Sequence, residues 1–226
     1  MRAQEPNGRV VVINPNSSEV VTASIDDALD PLRTADGPVI DCLTLAEGPP
    51  GIETQCHVDG VVGPMCEIIR REDARADAFV VACFSDPGLH SAREVASSPV
   101  FGIAESAYST ALNLGEAFGV IAILPGSVVR QQRYVRQLGL SGRYAASLSL
   151  GTGVAGLEGE ETGDRLIEVG HALINQHGAD VLILGCAGMA RFRSQVAGTL
   201  EAVSYTHLRA HETREDRGWR GGGVKK

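Results

Sequence analysis

The chain has 226 residues, 43% of them hydrophobic, and a formal charge of −8. That is enough for one large domain or two small lobes around a real core, and its acidity argues against a general affinity for nucleic acid or an anionic membrane. No signal-peptide core opens the chain and no segment is apolar for long enough to span a bilayer, so a cytoplasmic protein is expected.

The first predicted strand, Val10-Val11-Val12-Ile13, runs into Asn14-Pro15-Asn16-Ser17-Ser18. This turn presents side-chain amides and hydroxyls, and it also caps a helix predicted over 17–32. The strand VIDCLT and a helix over 57–73 come next, then the run Ala76 to Ala82 that ends at Cys83. VFGIA reads as a strand, with helices over 105–115 and, after the run Val120 to Ile123, over 127–138. A weaker strand, Ala145 to Leu150, leads to Gly151-Thr152-Gly153-Val154-Ala155-Gly156. This string matches G-x-G-x-x-G, but a second loop follows it instead of a helix, so it is set aside as a dinucleotide site. Asp164, Glu168, His171 and Asn175 share one face of an amphipathic helix that His177-Gly178 ends, leaving both histidines in solvent. His90 is likewise read as a helix-surface residue. The run Ala179 to Gly185 ends at Cys186, and a helix is predicted over 187–197. The order is βαβα throughout, the signature of α/β architecture.

Two pairs of segments repeat. Val10 to Ser17 resembles Val120 to Ser127 at an offset of 110 residues, and Ala76 to Cys83 resembles Ala179 to Cys186 at an offset of 103. A duplication predicts two pseudo-symmetric lobes, each a mostly parallel sheet flanked by helices, with the active site in the cleft between them. The expected division is 1–98 for the first lobe, 99–190 for the second and 191–202 as a return segment. Residues 203–226 carry both lysines and the only tryptophan, and their charge is +3 (six basic, three acidic) against −11 for residues 1–202 (fourteen basic, twenty-five acidic). They are set aside as a non-native tail.

Open α/β sheets bind ligands beyond the carboxyl ends of their strands, where both Cys83 and Cys186 fall. Two facing thiols suit inversion of a carbon beside a carbonyl: a thiolate removes the proton from one face, and a thiol returns one to the other. Backbone N–H groups at helix starts are expected to lower the thiol pKa values. The enolate formed between the two steps needs donors, for which Asn14, Asn16, Ser85 and the N–H groups after each cysteine are candidates. Cys42, Cys56 and Cys66 lack the strand-end setting and read as packing residues. No metal-ligand spacing is present, and no cofactor is expected.

Ile13-Asn14-Pro15-Asn16-Ser17-Ser18, Gly48-Pro49-Pro50-Gly51-Ile52-Glu53, Ala82-Cys83-Phe84-Ser85-Asp86-Pro87-Gly88-Leu89, Gly102-Ile103-Ala104-Glu105-Ser106-Ala107 and Gly185-Cys186-Ala187-Gly188-Met189 resemble the hydantoin racemase branch of the aspartate/glutamate racemase superfamily. The resemblance implies two lobes, a cofactor-independent pair in Cys83 and Cys186, and substrate contacts from Asn14, Asn16, Ser17, Ile52, Phe84, Ser85, Ala187, Gly188 and Met189. Phe84-Ser85 and Ala187-Gly188 stand where amino-acid racemases resemble one another in carrying Asn-Thr and Thr-His, which favours a neutral ring such as a 5-substituted hydantoin or allantoin. Leu124 and Pro125 depart from the branch's threonines and bear on which substrate fits. A maleate isomerase-like enzyme, an amino-acid racemase, a decarboxylase of a small carboxylate and a non-catalytic two-lobed binding protein stay open as alternatives. The expected partner is a small-molecule substrate, and a homo-oligomer is left open.

Overall fold

The computed structural model describes residues 8–159 and 161–200 and the strand at 203–205; the rest of the tail lies outside the described residues. Two four-stranded sheets are present, and every strand pairing in both is parallel. The first contains β1 (Arg9–Asn14), β2 (Val39–Thr44), β3 (Ala78–Val81) and β4 (Val100–Gly102) in the order β2-β1-β3-β4. The second contains β5 (Phe118–Ala122), β6 (Tyr144–Ser149), β7 (Val181–Leu184) and β8 (Val203–Tyr205) in the order β6-β5-β7-β8. The same order occurs twice, with the duplicated segments forming the two central strands of each sheet.

Helices α1 (Glu19–Leu29), α2 (Gln55–Gly60), α3 (Val62–Glu72) and α4 (Leu89–Val95) belong to the first half. Helices α5 (Ile103–Leu114), α6 (Pro125–Gln137), α7 (Thr162–His177) and α8 (Arg193–Leu200) belong to the second. Val11, Ile13, Phe79 and Val81 of the first sheet pack with Met65 and Ile69 of α3 in one core. Ile121, Leu182 and Leu184 of the second pack with Leu166 and Leu173 of α7 in another. On the opposite face of the second sheet, Val120, Val181 and Ile183 meet Ala104, Ala107 and Tyr108 of α5. A helix leaving the first sheet therefore seals the second, which ties the lobes together.

Several boundaries move for identifiable reasons. The helix expected over 57–73 breaks at Val61 because Pro64 has no N–H to donate back to Gly60. VFGIA gives a strand only to Gly102, since the N–H groups of Ala104 and Glu105 donate to the buried Asp86 carboxylate at 2.9 and 2.8 Å and open α5 instead. The helix expected over 127–138 begins two residues earlier at Pro125, a residue suited to a first helical turn. The one expected over 187–197 is a 3₁₀ turn, Ala187–Phe192, followed by α8. The amphipathic helix ends at Gly178, whose left-handed backbone (φ 72°) lets its N–H close on Ile174 O. His90, His171 and His177 are exposed.

Candidate active site

Each thiol stands one residue past the last hydrogen bond of its strand. Ala82 N donates to Ile13 O and Gly185 N donates to Ile121 O, both at 2.8 Å, and Cys83 and Cys186 follow. Beyond each cysteine the chain turns in the same way: Asp86 N closes on Cys83 O at 2.9 Å and Met189 N on Cys186 O at 3.0 Å. The turn aims the N–H of the second residue on, Ser85 or Gly188, at the sulfur. Both thiols line a single cavity of about 40 Å³ between the two sheets. Asn16, Ile52, Phe84, Ser85 and Ala187 share its walls.

Burial pushes the Cys83 thiol up to about 12 and Cys186 up to about 11, outweighing the N–H groups of Ser85 and Gly188. The expectation of thiols lowered by helix starts is thus corrected. A turn separates Cys83 from α4, and only a short 3₁₀ segment begins after Cys186. Charge on Cys186 raises Cys83 further, while the Arg130 guanidinium opposes the rise. Charge on both sulfurs at once is therefore disfavoured.

A family description, Asp/Glu/Hydantoin racemase, matches residues 10–210. The chain belongs to this family. A hydantoin racemase of Paenarthrobacter aurescens is 32% identical over 196 residues, spanning 85% of this chain and 83% of that one. The allantoin racemase structure from Klebsiella pneumoniae superposes with a TM-score of 0.85 at 28% identity, over 90% of this chain and 84% of that one. The allantoin racemase structure from Pseudomonas fluorescens gives 0.81 at 25% identity, over 89% and 86%. These relatives place the chain in the hydantoin/allantoin racemase branch, and the enzyme is an isomerase.

Not every anticipated contact of the racemase faces the cavity. Asn14 is buried and committed to its own turn: its Nδ2 donates to Asn16 Oδ1, Ser18 O and Thr22 Oγ1 at 3.0 to 3.2 Å. That network fixes Asn16, whose Oδ1 also accepts from Ser18 N at 2.9 Å and which lines the cavity. Ser17 donates its backbone N–H to Pro49 O and lies off the wall. Met189 is fully buried in the core of the second lobe. Gly188 contributes its N–H to Cys186 rather than a wall.

Two polar residues on the wall escaped sequence reading, Ser127 and Gln131 of α6. They stand one turn apart, but the polar string Arg130-Gln131-Gln132-Arg133 disguises the face as solvated. Asp86 was quoted in a motif without a role. It adopts the left-handed backbone (φ 41°), caps α5, and accepts from Tyr134 Oη of α6 at 3.1 Å. It thereby fixes the Cys83 turn to two helices that pack on the second sheet. Across the cavity Glu53 Oε1 accepts from Val154 N at 2.9 Å, a second tie between lobes, passing where a Cβ on Gly153 would block it. The Gly151 to Gly156 string is thus part of the clasp between the lobes.

Proposed function

We propose that this racemase inverts the α-carbon of a 5-substituted hydantoin or of allantoin, using Cys83 and Cys186 as a reversible acid/base pair. The observation that carries the reading is the placement of two equivalent thiols on one cavity at the ends of equivalent strands. One thiolate takes the α-proton, and the electron pair left behind moves onto the adjoining carbonyl oxygen to give an enolate. The opposite thiol then protonates the other face of the carbon and becomes the thiolate. The two sulfurs exchange roles for the other enantiomer, so no net proton is consumed.

The lining favours a neutral ring. Among the described residues that line the cavity none is cationic, whereas a free carboxylate is ordinarily met by Arg or by several convergent donors. Phe84 adds a flat wall, held edge-on against Tyr108 with ring centroids 5.5 Å apart. The names of the similar hydantoin and allantoin racemases point the same way. Polarimetry on single enantiomers of a hydantoin panel, allantoin, free amino acids and small dicarboxylates tests the reading. Loss of rotation confined to the ring substrates is expected; turnover confined to the carboxylates would overturn it.

A further inference from the structure

One polar group on the cavity wall has no partner among the described residues. Gln131 is 4% exposed, and its Oε1 is buried without a hydrogen bond among the described residues. Buried carbonyls are almost always paired, so an orphan on the wall of a binding cavity marks a place where a ligand donor belongs. The amide is held there by close packing: a Cβ on Gly185, the residue before Cys186, would stand 2.8 Å from Gln131 Nε2. One helical turn earlier, Ser127 lines the same cavity. Its Oγ accepts from Arg130 Nη2 at 3.0 Å, leaving the hydroxyl proton to be donated elsewhere, and the guanidinium strengthens that donor. An acceptor and a polarised donor thus stand side by side next to the thiols.

We infer that Ser127 and Gln131 read the cis-amide edge of a cyclic ureide, Gln131 Oε1 accepting a ring N–H and Ser127 donating to the carbonyl beside it. The inference rests on the hydantoin-type reading above and adds which edge of the ring is selected. In a hydantoin the carbonyl next to the stereocentre adjoins the imide nitrogen, N3. A Ser127 proton on that oxygen meets the charge that grows as the enolate forms. A carboxylate carries two acceptors and no N–H, so it would leave Gln131 Oε1 unpaired; this pair of side chains sorts rings from acids.

The test compares a 5-substituted hydantoin with its N3-methyl derivative in the wild-type enzyme, Gln131→Met and Ser127→Ala. Wild type is expected to prefer the N–H compound by about ten- to a hundredfold in kcat/KM, the range for an unpaired buried polar group. Gln131→Met conserves size, so it should lose that preference while its melting temperature holds or rises, because an unsatisfied carbonyl is removed. Ser127→Ala should lower kcat on both compounds. Equal use of both compounds by wild type, or a preference that survives in Gln131→Met, would overturn the inference, as would a fall in melting temperature with equal losses on both compounds. Wild type inert on every hydantoin would instead remove the functional reading beneath it.

Discussion

Cys83 and Cys186 occupy matching positions after β3 and β7, each with a backbone N–H turned to its sulfur, but the turns after β1 and β5 differ. In the first lobe Asn14 ties up its own turn, α1 starts only at Glu19, and the turn and helix bring Asn16 and the apolar Val21 to the cavity. In the second, α6 starts at once with Pro125 and carries Ser127 and Gln131 into the wall. The third residue after each thiol differs as well: Asp86 fastens the first turn to α5 and α6, while Met189 sits in the core. The contrast fits the proposed function: matched thiols serve an inversion that needs two equal faces, while the unlike turns beside them suit an unsymmetrical ring.

The largest expected effect tests the symmetric part. Cys83→Ser and Cys186→Ser should each lower inversion by roughly 10²–10⁴-fold, the usual worth of a placed acid or base, with unchanged circular dichroism. Equal losses would mark the thiols as equivalent; near-full activity in either variant would break the comparison.

Asp86 tests the asymmetric part. Burial raises its carboxyl to about 7, against an ordinary value near 3.8, despite the N–H groups of Ala104 and Glu105 and the Tyr134 hydroxyl. Its contribution to stability is complete below about pH 4 and is lost as pH rises through 7, on the order of 4 kcal/mol. Urea unfolding from pH 4 to 8 should show that loss in wild type and a flatter profile in Asp86→Asn, whereas the same slope in both would assign the pH dependence to other groups.

Because burial raises both thiols, the thiolate that the proposed mechanism requires is scarce at neutral pH. Turnover of a hydantoin, read as kcat/KM, should climb about tenfold per pH unit between 7 and 9, without the plateau near 8.5 of an ordinary thiol. A flat profile over that range would mean thiols held low by partners not described above. The smallest effect is expected from Glu53→Gln. Removing a negative charge that raises Cys186 should move the rising limb of the profile to lower pH by a fraction of a unit. The same change loosens the tie to Val154 N by about 1 kcal/mol, visible as a lower melting temperature.

The symmetric half of this comparison was legible in the sequence and the asymmetric half was not. Buried parallel strands are short apolar runs, so Ala76 to Cys83 and Ala179 to Cys186 announced both the sheets and the thiols at their ends. Asn14 and Asn16 look equivalent as letters, and only the hydrogen bonds show that the first anchors the second. Gln131 hides in a polar string because its inward turn depends on where α6 begins, which Pro125 sets. Asp86 reaches N–H groups eighteen and nineteen residues further on, a distance that local patterning cannot register. The thiol pKa direction failed for a similar reason: sequence signals an adjacent N–H, but the depth of burial that outweighs it is a property of the assembled cleft.

The measurement that bears most directly on two opposed thiols is exchange of the α-proton in deuterated water, followed by NMR for each pure enantiomer with wild type, Cys83→Ser and Cys186→Ser. Wild type should place deuterium in the inverted product. Each variant should still exchange the proton of one enantiomer without inverting it, and the two variants should choose opposite enantiomers. Exchange of the same enantiomer by both variants, or inversion without deuterium entering the α-position, would contradict the account.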